Sequence, residues 1–141
     1  MSEKTTSDLR QELMEDNSID TYLQENADTF VGQDLAALLT ELYEKKSLTK
    51  AALARQAGMS EVYLHQVFAG RRNPSRDRLL CLCIGLEATL EEAQELLRQA
   101  GYAQLYPRVR RDAIILHAIA HGTPLPLLND KLYEENERTL F

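Results

Sequence analysis

Leucines in the second quarter of the chain recur with the spacing of an amphipathic helix. Leu35, Leu38, Leu39 and Leu42 stand at i, i+3, i+4 and i+7, so a helix places all four on one face. The pattern predicts a helix from Leu35 to about Lys46, with the leucine face turned toward a core.

Two short helices are expected next, because their start and stop signals follow closely. Thr49 and Ser60 are good N-cap residues, since a side-chain hydroxyl accepts a hydrogen bond from the first helical turn. Gly58 suits the left-handed conformation that ends a helix. The sequence therefore predicts two helices joined by a three-residue turn, the second running to about Ala69 and stopping at Gly70.

Similar signals predict two helical hairpins in the last half of the chain. Asn73-Pro74 bars continuation of the preceding helix, and a new helix is expected near Ser75. Thr89 with Glu92 has the pattern of a capping box. Thr123-Pro124 predicts another helix start, with the proline at the first helical position.

The two hairpins align with each other at an offset of 35 without a gap. In this alignment of residues 75–106 with 110–141, Arg76-Asp77 falls on Arg111-Asp112. We interpret the two segments as a weak tandem repeat of a helix pair. The alternative is that two amphipathic hairpins align this well by chance.

Residues 1–31 are polar and weakly periodic, and they predict only a short helix through Tyr22 and Leu23, capped by Asn17 or Ser18. Leu, Ala, Glu, Gln and Arg dominate the whole chain of 141 residues, which favours an all-α fold. The length allows one domain, or a small domain with an appendage.

The apolar runs and the cysteines of the sequence also predict the cellular compartment of the protein. The longest apolar run is too short to span a bilayer, and the amino terminus lacks an apolar stretch of signal-peptide type. Cys81 and Cys83 are two apart in a helical pattern, so they point to different sides of the helix and suit a reducing compartment. A cytoplasmic protein without membrane contact is expected.

The overall net charge of −6 conceals a segregation of charge along the chain. Residues 1–46 carry a net charge of −7, residues 47–111 carry +4, and residues 112–141 carry −3. Lys50 to Arg78 contains 6 basic residues and 2 acidic ones. A positive patch on a negative molecule is typical of a polyanion-binding face, although an ordinary solvated surface would have the same composition.

The segment from Leu48 to Ser75, LTKAALARQAGMSEVYLHQVFAGRRNPS, resembles the helix-turn-helix of the phage repressor/Cro (Xre) family. The resemblance covers about residues 35–86 and implies a five-helix, repressor-like domain extended by helical hairpins. The implied organisation is an acidic, partly helical arm (1–31), the helix-turn-helix domain (32–87) and a carboxyl-terminal extension packed on it (88–141). The positions that carry the family spacing are Ala54, Gly58, Leu64, Val67, Gly70 and Pro74.

The resemblance implies double-stranded DNA as the partner, with the helix of residues 60–69 in the major groove. The base-reading positions it implies are Glu61, Val62, Tyr63, His65 and Gln66. The phosphate-contacting positions it implies are Lys50, Ser60, Arg71, Arg72 and Arg76. For each residue the alternative is a solvated polar side chain, and Glu61 also complements the helix dipole.

Two features depart from the family pattern. The family often pairs an Arg in its first helix with a Glu near the end of the recognition helix, and this sequence has Tyr43 and Phe68 at those positions. Replacing a buried ion pair by packed apolar groups is often neutral or stabilising. We therefore expect the two rings to touch. The acidic Glu61 weakens the case for tight non-specific DNA binding.

Candidate chemistry other than DNA binding is sparse. His117 and His121 stand at i, i+4, but no further ligand is close in sequence, so no metal site is expected. No phosphate loop, nucleophile elbow or carboxylate pair is recognisable, so neither catalysis nor a cofactor is expected.

Three functional interpretations remain open. The first is a sequence-specific transcriptional regulator that binds DNA as a homodimer, since palindromic sites are normally read by two copies. The second is a protein-interaction adaptor that keeps the helix-turn-helix fold and binds a protein through its carboxyl-terminal hairpins. The third is an antitoxin-like regulator that combines both activities.

Overall fold

The computed structural model describes residues 4–15, 18–27 and 35–141, and this part of the chain is helical without a strand. The all-α fold predicted from composition is confirmed. The chain separates into two compact units, residues 1–30 and 31–141.

The helices, in chain order, are α1 (Thr6–Glu15), α2 (Ile19–Glu25), α3 (Leu35–Glu44), α4 (Lys50–Gln56), α5 (Glu61–Phe68), α6 (Arg76–Gly85), α7 (Leu90–Gln99), α8 (Arg110–His121) and α9 (Leu125–Glu134).

The first unit is a small pair of helices, α1 and α2. Ser18 caps α2 as predicted, its hydroxyl accepting from the N–H of Thr21, whereas Asn17 lies outside the described residues. Lys4 Nζ donates to both carboxylate oxygens of Glu12 at 2.9 Å and to Asn26 Oδ1 at 2.9 Å. The sequence did not predict α1, and the expected domain boundary at residues 31–32 also lies outside the described residues.

Hydroxyl caps begin four successive helices of the second unit. Thr49, Ser60, Ser75 and Thr89 each accept a hydrogen bond from the backbone N–H three residues later. The Glu92 side chain returns a bond to the N–H of Thr89 and completes the predicted capping box. These local signals set the starts of α4 to α7, and all four starts agree with the sequence.

Leucines from the first helices of this unit form its core. Leu39 of α3, Leu53 of α4 and Leu64 of α5 are fully buried, and Leu79 and Leu80 of α6 are buried against them. The predicted leucine face of α3 is therefore confirmed. One detail of the sequence interpretation was wrong. Pro124 is the extended N-cap of α9 and not its first helical residue, with φ −68° and ψ 154°.

Two reciprocal ion pairs connect the hairpin α6–α7 to the hairpin α8–α9. Arg76 donates to both carboxylate oxygens of Asp112, at 3.1 and 3.0 Å. Arg111 donates to both carboxylate oxygens of Asp77, at 3.0 and 3.1 Å. The four residues are the two Arg-Asp dipeptides that align at the offset of 35. Each dipeptide therefore pairs with its counterpart in the other hairpin.

Backbone contacts recur at the same offset. The Nε atoms of Arg76 and Arg111 donate to the carbonyls of Ala103 and Arg138, at 2.9 and 2.8 Å. Their Nη2 atoms also donate to the carbonyls of Gln104 and Thr139. In the same way, Gln94 and Asn129 accept from the backbone N–H groups of Leu105 and Leu140, each at 2.8 Å.

These paired contacts support the repeat hypothesis. α6 packs against α9 and α7 packs against α8, which is the arrangement that a two-fold relation between two like units produces. We therefore propose that the carboxyl-terminal half is a duplicated hairpin closed on itself by a local two-fold axis.

Replacing Arg76 by Ala should destabilise the protein strongly. The Asp112 side chain is 8% exposed, and removing its partner leaves a buried carboxylate unpaired, at a cost of about 3 kcal/mol. The matched control is Arg98→Ala, because Arg98 makes an exposed i,i+3 pair with Glu95 and its loss should cost less than about 0.5 kcal/mol. Urea unfolding monitored by circular dichroism measures both, and equal losses would contradict the reciprocal-pair account.

Candidate nucleic-acid interface

The second helix of the helix-turn-helix, α5, presents a polar outer face. Its inner residues Leu64 and Val67 are buried in the core. Three of the predicted base-reading residues are exposed: Glu61, Val62 and His65. The other two, Tyr63 and Gln66, are half-buried along the same helix.

An open depression of about 570 Å³ lies beside the amino-terminal half of α5. Its lining combines the turn before α5, the outer face of α5 and two arginines from the segments that follow it. The lining residues are Gly58, Met59, Ser60, Val62, Tyr63, Gln66, Arg72 and Arg78. The depression thus joins predicted base-reading and phosphate-contacting residues on one surface.

Tyr63 holds two arginines against this surface. The guanidinium carbon of Arg72 lies 5.5 Å from the centre of the Tyr63 ring, and that of Arg78 lies 5.0 Å from it. Contacts of this kind attract a cation to an aromatic face and restrict its motion. Arg71, the neighbour of Arg72, is exposed. Arg72 therefore lines the depression with its guanidinium beside Tyr63, and Arg71 is exposed next to it in sequence.

Two arginines of α6 face in different directions, and the sequence singled out only Arg76 as a phosphate contact. Arg76 was predicted to contact phosphate, but its guanidinium is bound to Asp112 and to two backbone carbonyls. Arg78, two positions along α6, points to Tyr63 and the depression. Residues two apart lie on different faces of a helix, so the charge cluster in the sequence did not reveal which arginine faces outward.

Lys50 sits on a pair of aromatic rings. Its Nζ lies 3.3 Å from the centre of the Phe68 ring and 4.3 Å from that of Tyr43. The two rings meet edge to face with centres 5.6 Å apart, which confirms the expected Tyr43–Phe68 contact. Partial burial lowers the pKa of the Lys50 amine from its ordinary value. Lys50 is therefore anchored to the fold at the first residue of α4.

Gly58 adopts a left-handed conformation at the turn between α4 and α5, with φ +66°. A Cβ atom built at this position would lie 2.7 Å from Cε1 of Phe141. The end of the carboxyl-terminal segment therefore packs directly against the helix-turn-helix turn. Ser60 follows this turn, and it is exposed and caps α5.

Other candidate chemistry forms no further site in the part of the chain that the structure describes. His117 and His121 stack with ring centres 4.1 Å apart, but no group of three or more potential metal ligands occurs among the described residues. Burial raises the pKa of the Cys81 thiol to about 11 and that of Cys83 to about 12, so both are protonated at neutral pH. No described helix has the length and apolar character needed to cross a membrane.

Comparison with known proteins agrees with this geometry. Residues 34–96 match the family model of a helix-turn-helix domain. The matched segment includes α3 to α6 and most of α7, so it extends past residue 87, where the sequence placed the end of the domain. No curated protein and no solved structure shows significant similarity to the chain. The chain is an all-α protein with a helix-turn-helix domain, a fold element that indicates a DNA-binding regulator.

Gly58→Ala should destabilise the protein for two separable reasons. A non-glycine residue in the left-handed region costs about 1–2 kcal/mol, and the new methyl group also meets the Phe141 ring. In a Phe141→Ala background the second cost should disappear while the first remains. Thermal unfolding of the two single variants and the double variant measures this coupling. Strictly additive effects would show that Phe141 does not pack on the turn.

Proposed function

We propose that this protein is a sequence-specific, DNA-binding transcriptional regulator that inserts α5 into the major groove. The observation that carries the proposal is the depression in which Val62, Tyr63 and Gln66 share one surface with Arg72 and Arg78. An α-helix fits the width of the major groove, and flanking cations contact the two phosphate backbones.

The outer residues of α5 have the chemistry to distinguish bases. The exposed Val62 suits contact with a thymine methyl group, and Gln66 can pair with the N6 and N7 atoms of adenine. Glu61 can accept a hydrogen bond from cytosine N4. We propose that these residues read sequence, together with Tyr63 and His65.

A second set of residues supplies affinity without reading sequence. Arg71, Arg72 and Arg78 are exposed on or beside the depression, and we propose that they neutralise phosphates. Ser60 can donate its hydroxyl proton while its oxygen caps α5. Lys50 is held at the start of α4 by the two rings, and we propose that it contacts a phosphate from that position.

We also propose that two copies act together on DNA. A single recognition helix reads only a few base pairs, and a homodimer on a palindromic site doubles the contacts. The sequence family that this segment resembles, the phage repressor/Cro family, is the basis for this part of the proposal.

A protein-interaction adaptor is the second candidate function, and a groove between α3 and α7 favours it. The groove has a volume of about 310 Å³. Its floor is apolar, with Leu38, Leu42 and Leu96, and its rim carries acidic side chains that include Glu91 and Glu95. A basic amphipathic helix of a partner protein would match both features. An antitoxin-like regulator would use this groove and the DNA surface together.

Arg71→Ala combined with Arg72→Ala should weaken binding to all duplexes alike. The slope of log K against log salt concentration is negative, and each lost phosphate contact reduces its magnitude by about 0.9. The magnitude for the double variant should therefore be smaller by about 1.8. Fluorescence anisotropy with a random duplex over a salt series measures this slope. The control is Arg98→Ala with Lys131→Ala, which removes equal charge outside the depression. A wild-type protein without measurable affinity for duplex DNA would favour the adaptor instead.

Gln66→Ala should change preference among sequences more than it changes overall affinity. Losing a bidentate contact to adenine should cost about 1–3 kcal/mol at one base pair and leave other positions unaffected. Selection from a randomised duplex library, sequenced for the wild type and the variant, reveals the change. A uniform loss of affinity across the library, with an unchanged sequence logo, would refute a base-reading role for Gln66.

A further inference from the structure

The carboxyl-terminal segment after α9 is fixed to the rest of the second unit. The side chain of Leu140 is buried, and its N–H donates to Asn129 Oδ1 at 2.8 Å. The carbonyls of Arg138 and Thr139 accept from the Arg111 guanidinium at 2.8 and 3.2 Å. Residues 138–141 therefore have a defined path on the protein surface.

Two contacts of this path involve residues that lie at the depression or next to a lining residue in sequence. At one, the Phe141 ring covers Gly58, which itself lines the depression. At the other, NH2 of Arg138 lies 3.5 Å from Oδ2 of Asp77, the neighbour of Arg78. Gly58 and Arg78 line the depression, so one contact of the segment is with a lining residue and the other is with the residue before one.

The Arg138 side chain has a long contact with Asp77, at 3.5 Å, that Arg111 already makes at shorter distances. It is 76% exposed, and the carboxylate that it approaches is already bound by both terminal nitrogens of Arg111. The equivalent position in the first hairpin is Ala103, whose carbonyl accepts the matching bond from Arg76. A methyl side chain is thus sufficient for the fold at this place. The guanidinium of Arg138 therefore makes one long hydrogen bond, to Asp77 at 3.5 Å, and is otherwise largely exposed.

We propose that residues 138–141 form one wall of the DNA-binding surface and that Arg138 contacts a backbone phosphate. An exposed guanidinium at the border of a cationic depression can donate two hydrogen bonds to one phosphate. The inference rests on the proposed DNA-binding function and extends the contact surface beyond residues 34–96, which match the helix-turn-helix family. It also gives the second hairpin a role, since that hairpin carries the wall.

The test is the salt dependence of duplex binding by Arg138→Ala in the full chain. The variant should keep its fold, because Ala103 occupies the equivalent position. The slope of log K against log salt concentration is negative, and its magnitude should be smaller than that of the wild type by about 0.9. Arg138→Lys should retain the slope, because it keeps the charge. The matched control is Lys131→Ala. Lys131 lies in a groove between α8 and α9 that Ile114, His117 and Leu127 also line, and its loss should leave the slope unchanged.

The possible outcomes separate this inference from the proposed function. If the wild type binds the duplex and Arg138→Ala has the wild-type slope, Arg138 contacts no phosphate and this inference is overturned while the proposed function stands. If Lys131→Ala lowers the slope as much as Arg138→Ala, the effect is one of net charge, and the inference also fails. If the wild type binds no duplex at all, both proposals fail.

Discussion

Two reciprocal Arg–Asp pairs connect the carboxyl-terminal hairpins of the second unit, and the placement of these hairpins depends on them. Each pair takes two charges partly out of water, which is unfavourable unless both ions find full hydrogen bonding. Here each arginine binds both oxygens of its aspartate and two backbone carbonyls of its own hairpin. Since Arg76 and Asp77 are the first residues of α6, the pairs set how that helix begins, directly after the segment that carries Arg71 and Arg72.

One end of α6 therefore serves both stability and the proposed recognition of DNA. Arg76 turns inward to Asp112, and Arg78 turns outward to Tyr63. The same division occurs in the carboxyl-terminal segment, where the backbone of Arg138 accepts from Arg111 and its side chain is exposed. The ion pairs thus fix the backbone at two exposed arginines, Arg78 and Arg138, in a protein whose overall charge is negative.

Local features of the fold could be predicted from the sequence, because their causes are local. The caps at Thr49, Ser60 and Thr89 and the left-handed Gly58 follow from residue type within one turn. The Tyr43–Phe68 contact followed from two matching changes in a known pattern. The partner of Arg76 could not be predicted, because Asp112 is 36 residues away and only the folded packing of the hairpins brings them together. For the same reason, the contact of Arg78 with Tyr63 and that of Phe141 with Gly58 could not be predicted.

A nuclear magnetic resonance titration of the full chain with a short random duplex tests most directly whether α5, the arginines beside it and residues 138–141 form one DNA-binding surface. Amide signals of residues 58–72, 78 and 138–141 should shift together as DNA is added, while those lining the α3–α7 groove and the α8–α9 groove stay in place. Shifts confined to Leu38, Leu42, Glu91 and Glu95, or no shifts at any duplex concentration, would contradict the account.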